Sequence, residues 1–234
     1  YLNDGSGSFG AGSPFGQSQY NVDVALGDLD NDGDLDLAVG LYYGEQNWFY
    51  MNDGAGVLDS GTPFSGRSAA QAVAVADFNG DGAFDLVVGN HGERSQVYLN
   101  DGADLLVSST PLAGIDTSRS AAVGDMDGDG ALDVVVGNLG QQNVLHLNDG
   151  SGSFPSIVPF GAADQTLSIV LGDLDGDGSL DVVVGNVGDN YVYLNDGAGT
   201  LGAGILFSDS ADTNGVAVGD LDGDGDLDLV TGNW

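Results

Sequence analysis

The sequence predicts an all-β fold, a β-propeller of five four-stranded antiparallel blades in which the N- and C-termini share the closing blade. Three observations carry that prediction. One unit recurs five times along 234 residues, and each copy holds short strand-like segments separated by turn residues. The third is 41 glycines, which argue against helix, because Gly in a helix interior costs roughly 1 kcal/mol relative to Ala. The period is read from two signatures. Asn-Asp-Gly starts at Asn3, Asn52, Asn100, Asn148 and Asn195, and an acidic loop starts at Asp28, Asp77, Asp125, Asp173 and Asp220, both at spacings of 49, 48, 48 and 47. The units run about 21–69, 70–117, 118–164, 165–212, and 213–234 plus 1–20, one domain over 1–234.

Within each unit the first strand is small and aliphatic: Val22 to Gly27, Ala72 to Ala76, Ala121 to Gly124, Ser168 to Gly172 and Gly215 to Gly219. Small side chains suit the crowded axis of a propeller. After the acidic loop comes an apolar run ending in Gly, as in Val134-Val135-Val136-Gly137 and Val182-Val183-Val184-Gly185, the pattern of a strand buried on both faces. The third strand carries aromatics, as in Trp48-Phe49-Tyr50-Met51 and Tyr191-Val192-Tyr193-Leu194, and runs into Asn-Asp-Gly, a hairpin turn. The fourth is expected near Phe9, Leu58, Leu106, Phe154 and Leu201. A Pro-Phe or Pro-Leu pair usually follows it, at Pro14, Pro63, Pro111 and Pro159, which suits an outer edge. A parallel β-helix would have shorter rungs and no hairpin turn in every repeat.

The chain opens at a third strand, Tyr1-Leu2-Asn3, and closes after a second, Leu227 to Gly232. Residues 1–20 and 214–234 are therefore complementary halves of one blade. Their pairing within one molecule gives a monomeric ring, favoured by effective concentration, whereas pairing between molecules gives head-to-tail assembly. No signal peptide precedes Tyr1 and the first repeat is incomplete, so the chain is expected to be processed or to belong to a longer one.

The acidic loops carry the chemistry. They place Asp28, Asp30, Asp32, Asp34 and Asp36 in the first copy; Asp77, Asn79, Asp81, Ala83 and Asp85 in the second; and Asp125, Asp127, Asp129, Ala131 and Asp133 in the third. The fourth has Asp173, Asp175, Asp177, Ser179 and Asp181, and the fifth Asp220, Asp222, Asp224, Asp226 and Asp228. Oxygen side chains recur at positions 1, 3, 5 and 9, with Gly at 6 permitting a sharp turn that brings the position-7 carbonyl inward. Such a cage suits a hard cation taking six to eight oxygens, hence Ca²⁺ rather than Mg²⁺. Position 12 is Val39, Val88, Val136, Val184 or Thr231 rather than the Glu of an EF-hand. About five Ca²⁺ are expected, one per repeat, with Asp34, Ala83, Ala131, Ser179 and Asp226 contributing backbone carbonyls. Asn79 removes one charge and weakens the second site. Solvated turns are the simpler alternative, but four unneutralised carboxylates so close would repel strongly.

Charge and composition exclude other classes. The formal net charge is −33, with Arg67, Arg94 and Arg119 as the only Lys or Arg, so nucleic acid and anionic membranes meet a field of the wrong sign. Of 36 acidic residues, the loops hold 21 and the Asn-Asp-Gly turns 5, so salt adaptation is not needed to explain them. There is no Cys for a disulfide or thiolate site. Catalytic groups are few. His146 stands where other repeats have Tyr1, Tyr50, Tyr98 or Tyr193 and reads as packing; His91, near Glu93 and Arg94, reads as a solvated loop. Arg67 and Arg119 are expected to pair with a neighbouring Asp. Enzyme activity is not expected.

With these motifs in place, the chain resembles the FG-GAP/VCBS repeats that form the propeller of integrin α subunits and of many secreted bacterial and fungal proteins. The resemblance rests on Gly-Asp-Leu-Asp-Gly-Asp-Gly at 172–178 and 219–225, Val-Val-Gly-Asn at 87–90, 135–138 and 183–186, and Tyr-Leu-Asn-Asp-Gly at 1–5, 98–102 and 193–197. It implies calcium ligation by positions 1, 3, 5 and 9 through side chains and by position 7 through its carbonyl. Related propellers usually have seven blades where five repeats are present here. The resulting expectation is a non-catalytic, calcium-stabilised module for interaction, adhesion or scaffolding, secreted or at the cell surface, where millimolar calcium suits weak sites. The alternative is a carbohydrate-binding lectin using aromatics such as Tyr20, Tyr42, Tyr43, Trp48 and Trp234. The protein or glycan ligand is left open.

Overall fold

A run such as Val134-Val135-Val136 has no polar side to offer water, so it is stable only between two covering layers. The computed structural model describes residues 1–16, 21–42, 45–64, 69–102, 108–114, 117–208 and 212–234, and every helix or strand among them is a β-strand. No helix is long and apolar enough to cross a membrane among the described residues. Tyr20, Tyr43, Arg67 and Leu106 lie outside them.

The first blade pairs β1 (Asn21–Gly27), β2 (Asp36–Leu41), β3 (Asn47–Tyr50) and β4 (Thr62–Phe64) antiparallel in that order. The second repeats this with β5 (Ala70–Ala76), β6 (Asp85–Asn90), β7 (Gln96–Leu99) and β8 (Ser108–Pro111). The third has β9 (Ser118–Gly124), β10 (Asp133–Asn138), β11 (Asn143–Leu147) and β12 (Ser156–Phe160), and the fourth β13 (Thr166–Gly172), β14 (Asp181–Asn186), β15 (Asn190–Tyr193) and β16 (Ile205–Ser208). A two-stranded sheet, β17 (Thr213–Gly219) with β18 (Asp228–Asn233), follows. The innermost strands β1, β5, β9, β13 and β17 pack side by side in succession. Together they line one cavity, through Val22, Gln71, Arg119, Leu167 and Asn214, which marks the propeller axis.

Burial follows the pattern read from sequence. All six residues of β2, β6, β10 and β14 are buried. The Gly ending each apolar run has a packing reason: a Cβ on Gly137 would lie 2.7 Å from Thr166 Cγ2, and one on Gly185 2.9 Å from Thr213 Cγ2, both on the next blade. Neighbouring blades also share an edge-to-face aromatic pair, the favoured geometry for ring quadrupoles. Phe15 meets Tyr50 at 5.3 Å, Phe64 meets Tyr98 at 5.8 Å, and Phe160 meets Tyr193 at 5.1 Å. His146 occupies the corresponding third-strand position of the third blade and is 1% exposed, the packing role expected of it.

One expectation needs correction. Phe9, Leu58 and Leu201 are not strands: each forms a single bridge to its Asn-Asp-Gly asparagine, and the outer strand lies further on, at the Pro-Phe pair or its equivalent. The hairpin is too tight to continue as a ladder. In the fifth unit β17 and β18 supply the two inner strands, and among the described residues β18 pairs with β17 and Asn3 bridges Phe9. β18 is accordingly only partly covered, with Val230 48% exposed, and on the opposite flank Val24 and Leu26 of β1 are 54% and 62% exposed.

Candidate functional site: the acidic loops

Each acidic loop links an innermost strand to its buried neighbour, and its shape is set by the loop's own carboxylates. Position-1 aspartates accept backbone N–H groups across the turn: Asp125 Oδ1 from Gly128 at 2.8 Å and Asp125 Oδ2 from Gly130 at 3.0 Å, with Asp173 and Asp220 doing the same. Position-5 aspartates accept the N–H of position 7, as in Ser179 N to Asp177 Oδ1 at 2.7 Å. These bonds require left-handed backbone at position 6, where Gly33, Gly82, Gly130, Gly178 and Gly225 have φ of 90° to 97°.

The position-9 aspartate opens the second strand and is fully buried in four copies, at Asp36, Asp85, Asp133 and Asp181. Each accepts two backbone N–H groups. In the third blade Asp133 takes Met126 N and Asn148 N, both at 2.8 Å, so one carboxylate ties the loop to the third strand. Asp36, Asp85 and Asp181 repeat the arrangement with Asn52, Asn100 and Asn195. Burial outweighs these bonds and pushes the carboxyls of Asp85 and Asp133 up to about 6. Burial likewise raises Asp30, Asp127 and Asp181 above the ordinary carboxylate range, with neighbouring aspartates adding repulsion.

Four of the five loops bring three carboxylates together: Asp28, Asp30 and Asp32; Asp125, Asp127 and Asp133; Asp173, Asp175 and Asp181; Asp220, Asp222 and Asp228. In each, one oxygen per residue lies within 4.8 Å of the others, a span that a single ion with bonds of about 2.4 Å can bridge. Asp28 Oδ1 is buried without a hydrogen-bond partner, an oxygen to which a cation is the fitting complement. The donor set, all oxygen and mostly ionised, fits a hard divalent metal. The second loop forms no such cluster. There Asn79 Nδ2 donates to Asp81 Oδ2 at 2.9 Å, so an amide quiets the repulsion that the other loops leave in place.

One contributor was not legible as functional. The Asn of Asn-Asp-Gly, read as a turn residue, is an inter-blade clamp. Asn148 Nδ2 donates to Leu132 O in its own loop at 3.0 Å and to Phe78 O in the preceding blade's loop at 2.7 Å. Asn100 reaches Leu29 O and Asn195 reaches Met126 O in the same way, each at 2.7 Å. The one available signal was that all five copies keep Asn where Asp would also make the turn.

The isolated candidates resolve as follows. His91 is exposed, with its ring 6.4 Å from that of Tyr42. Arg119 does not pair with an aspartate; its Nη1 donates to Gln71 Oε1 at 3.1 Å, because the nearby Asp23 carboxylate is taken by Val24 N and Val73 N. Trp48 stacks on Tyr50 at 6.3 Å, and Trp234 is 83% exposed.

The recurring pattern of loops and buried runs is that of a known repeat. The model for the FG-GAP-like repeat matches residues 38–88, 77–136, 125–184 and 173–231. The chain belongs to the FG-GAP-like repeat family. No curated protein matches it. Among solved structures, this FG-GAP propeller is similar to an Agrocybe aegerita lectin described as recognising non-reducing terminal N-acetylglucosamine, with 24% identity and a TM-score of 0.63 over 92% of this chain and 61% of that one. It is also similar to BBS1N from a complex with ARL6DN, with 15% identity and a TM-score of 0.65 over 92% and 64% of the two chains. The V. cholerae biofilm matrix protein Bap1 matches with 18% identity and a TM-score of 0.55 over 91% and 34%. The FG-GAP chain thus spans under two thirds of the length of each, and the likeness establishes the fold.

Proposed function

We propose that this FG-GAP propeller is a calcium-stabilised, non-catalytic binding module that acts outside the cell in adhesion or scaffolding. The observation that carries the reading is the recurrence of one three-carboxylate cluster in four loops, three of which, the first, third and fourth, are held by a clamp that joins two blades. A divalent ion there neutralises the repulsion and fixes the loop that the clamp grips. Asp28, Asp30 and Asp32 would hold it in the first loop, and positions 1, 3 and 9 in the third, fourth and fifth. Calcium is favoured over magnesium by the flexible all-oxygen donor set, and weak sites of this kind fill where calcium is millimolar, outside cells. His146, buried without a partner and pushed down to about 4, has no role as a base near neutrality. A melting curve with calcium and with EGTA tests the reading. At ten times Kd each of four sites adds about 1.4 kcal/mol, so chelation should lower Tm by roughly 10–20 °C. An unchanged curve would overturn it.

A second reading, glycan binding, is favoured by one place in the fold. Tyr191 and Tyr193, with Gly161, Gly202 and Gly204, line an open cleft of about 360 Å³ between the third and fourth blades. Aromatic faces beside glycines and a nearby Asp164 suit a sugar ring. Trp48 and Tyr50 make a comparable stacked pair in the first blade. A glycan array in calcium buffer separates the two readings: specific hits lost in Tyr191→Ala support the lectin.

A further inference from the structure

The axial cavity shows a break in the repeat that neither the metal loops nor the clefts explain. The second residue of each innermost strand faces it, and the five copies read Val22, Gln71, Arg119, Leu167 and Asn214. Loops and buried runs are nearly identical from copy to copy, so the fold does not demand a particular residue here, and five different residues make an asymmetric mouth. Its volume is about 380 Å³, at the small end of ligand pockets, and its wall is mostly polar.

Arg119 is the only cation among the lining residues. In a chain with 36 acidic residues it makes no ion pair among the described ones, and its hydrogen bond goes to neutral Gln71 at 3.1 Å. Asp23, the only acid of the mouth, has its two oxygens on Val24 N and Val73 N at 2.9 and 2.8 Å. A guanidinium has five donors in a planar fork, the shape that grips a carboxylate through two parallel bonds. The metal loops leave the far ends of these seven-residue strands, about 20 Å away at roughly 3.3 Å per residue, beyond twice the Debye length of physiological salt. Their negative field is therefore screened at the mouth.

We propose that this axial mouth binds a small sugar acid, a uronate, with Arg119 gripping the carboxylate and the amides of Gln71 and Asn214 meeting ring hydroxyls. With a single guanidinium and the Asp23 carboxylate in the same wall, a singly charged carboxylate is favoured over a phosphate dianion. Polar walls favour a polyhydroxylated body over an apolar one. The proposal rests on neither the calcium reading nor the glycan cleft.

Calorimetry in calcium buffer with D-glucuronate, D-galacturonate and neutral D-glucose tests it. At least one uronate should bind at millimolar concentration or tighter, and glucose at least about tenfold more weakly, as loss of a charged hydrogen bond predicts. Arg119→Gln should weaken the uronate about tenfold or more, whereas Arg94→Gln, at an exposed arginine outside the cavity, should leave it unchanged. Leu167→Phe narrows the mouth while keeping the arginine and should also abolish binding, which keeps the test decisive if Arg119→Gln does not fold. Absence of heat with both uronates, equal affinity for glucose, or wild-type binding in Arg119→Gln or in folded Leu167→Phe would overturn the proposal.

Discussion

Replacing Asn148 by Ala should be among the most damaging single changes in this molecule, although the residue sits in what reads as a surface turn. Asn148 is 3% exposed and its amide makes four hydrogen bonds: to Phe78 O at 2.7 Å, to Leu132 O at 3.0 Å, and from Gly150 N and Gly152 N at 3.1 and 3.2 Å. At about 1 kcal/mol net each, with buried carbonyls left unpaired, the loss comes to roughly 3–5 kcal/mol. For a domain of this size that is a fall in Tm of about 10 °C or more. Asn52 supplies the internal control. It holds the same place in the first blade, but among the described residues its side-chain amide bonds only Leu35 O at 3.2 Å and Gly56 N at 3.1 Å, both exposed and both in its own blade. Asn52→Ala should cost about 1 kcal/mol. Thermal and urea unfolding of both variants in calcium buffer, read by circular dichroism, measures the difference. Equal losses at the two positions would refute the reasoning, because they would mean either that the inter-blade bond carries no energy or that the flank beside Asn52 is gripped like every other.

Other changes test the site. Asp85 and Asp133 have folded pKa values of about 6 against 3.8 ordinarily, so without metal the native state takes up protons as pH falls. Each should then contribute on the order of 3 kcal/mol that is present below pH 4 and lost as pH rises through 6. Tm in EGTA should rise on acidification from pH 7 to pH 5, whereas in calcium it should fall as protons displace the ion; parallel trends would sink the metal assignment. His146 runs the other way: its folded pKa of about 4 lies below the ordinary 6.5, so its contribution is present above 6.5 and lost as pH falls towards 4. His146→Leu removes two buried nitrogens without partners and should stabilise by roughly 1–2 kcal/mol, with a larger gain at pH 5 than at pH 8. Asn79→Asp replaces the amide bonded to Asp81 by a carboxylate, and native mass spectrometry at limiting calcium should count one more ion than in the wild type.

The propeller, its strand order and the acidic loops were legible in sequence because each rests on local chemistry. An apolar run without a polar face must be covered twice, as all six residues of β10 are, and a position-6 Gly is needed wherever φ reaches 90°. Periodicity multiplied these signals fivefold. What local chemistry could not show is anything that joins one blade to the next. The clamp from Asn195 to Met126 and the meeting of Phe64 with Tyr98 arise only when one blade is laid against the next. The same holds for Arg119, whose neighbour was expected to be an aspartate. Sequence counts charges, whereas the axis decided that Gln71, 48 residues earlier, would face it while Asp23 turned to backbone N–H groups. The second loop makes the point within nine residues. Its spacing matches the others and the sequence shows that Asn79 removes one charge, but that the Asn79 amide turns to Asp81 Oδ2 is a side-chain direction that only the folded loop fixes.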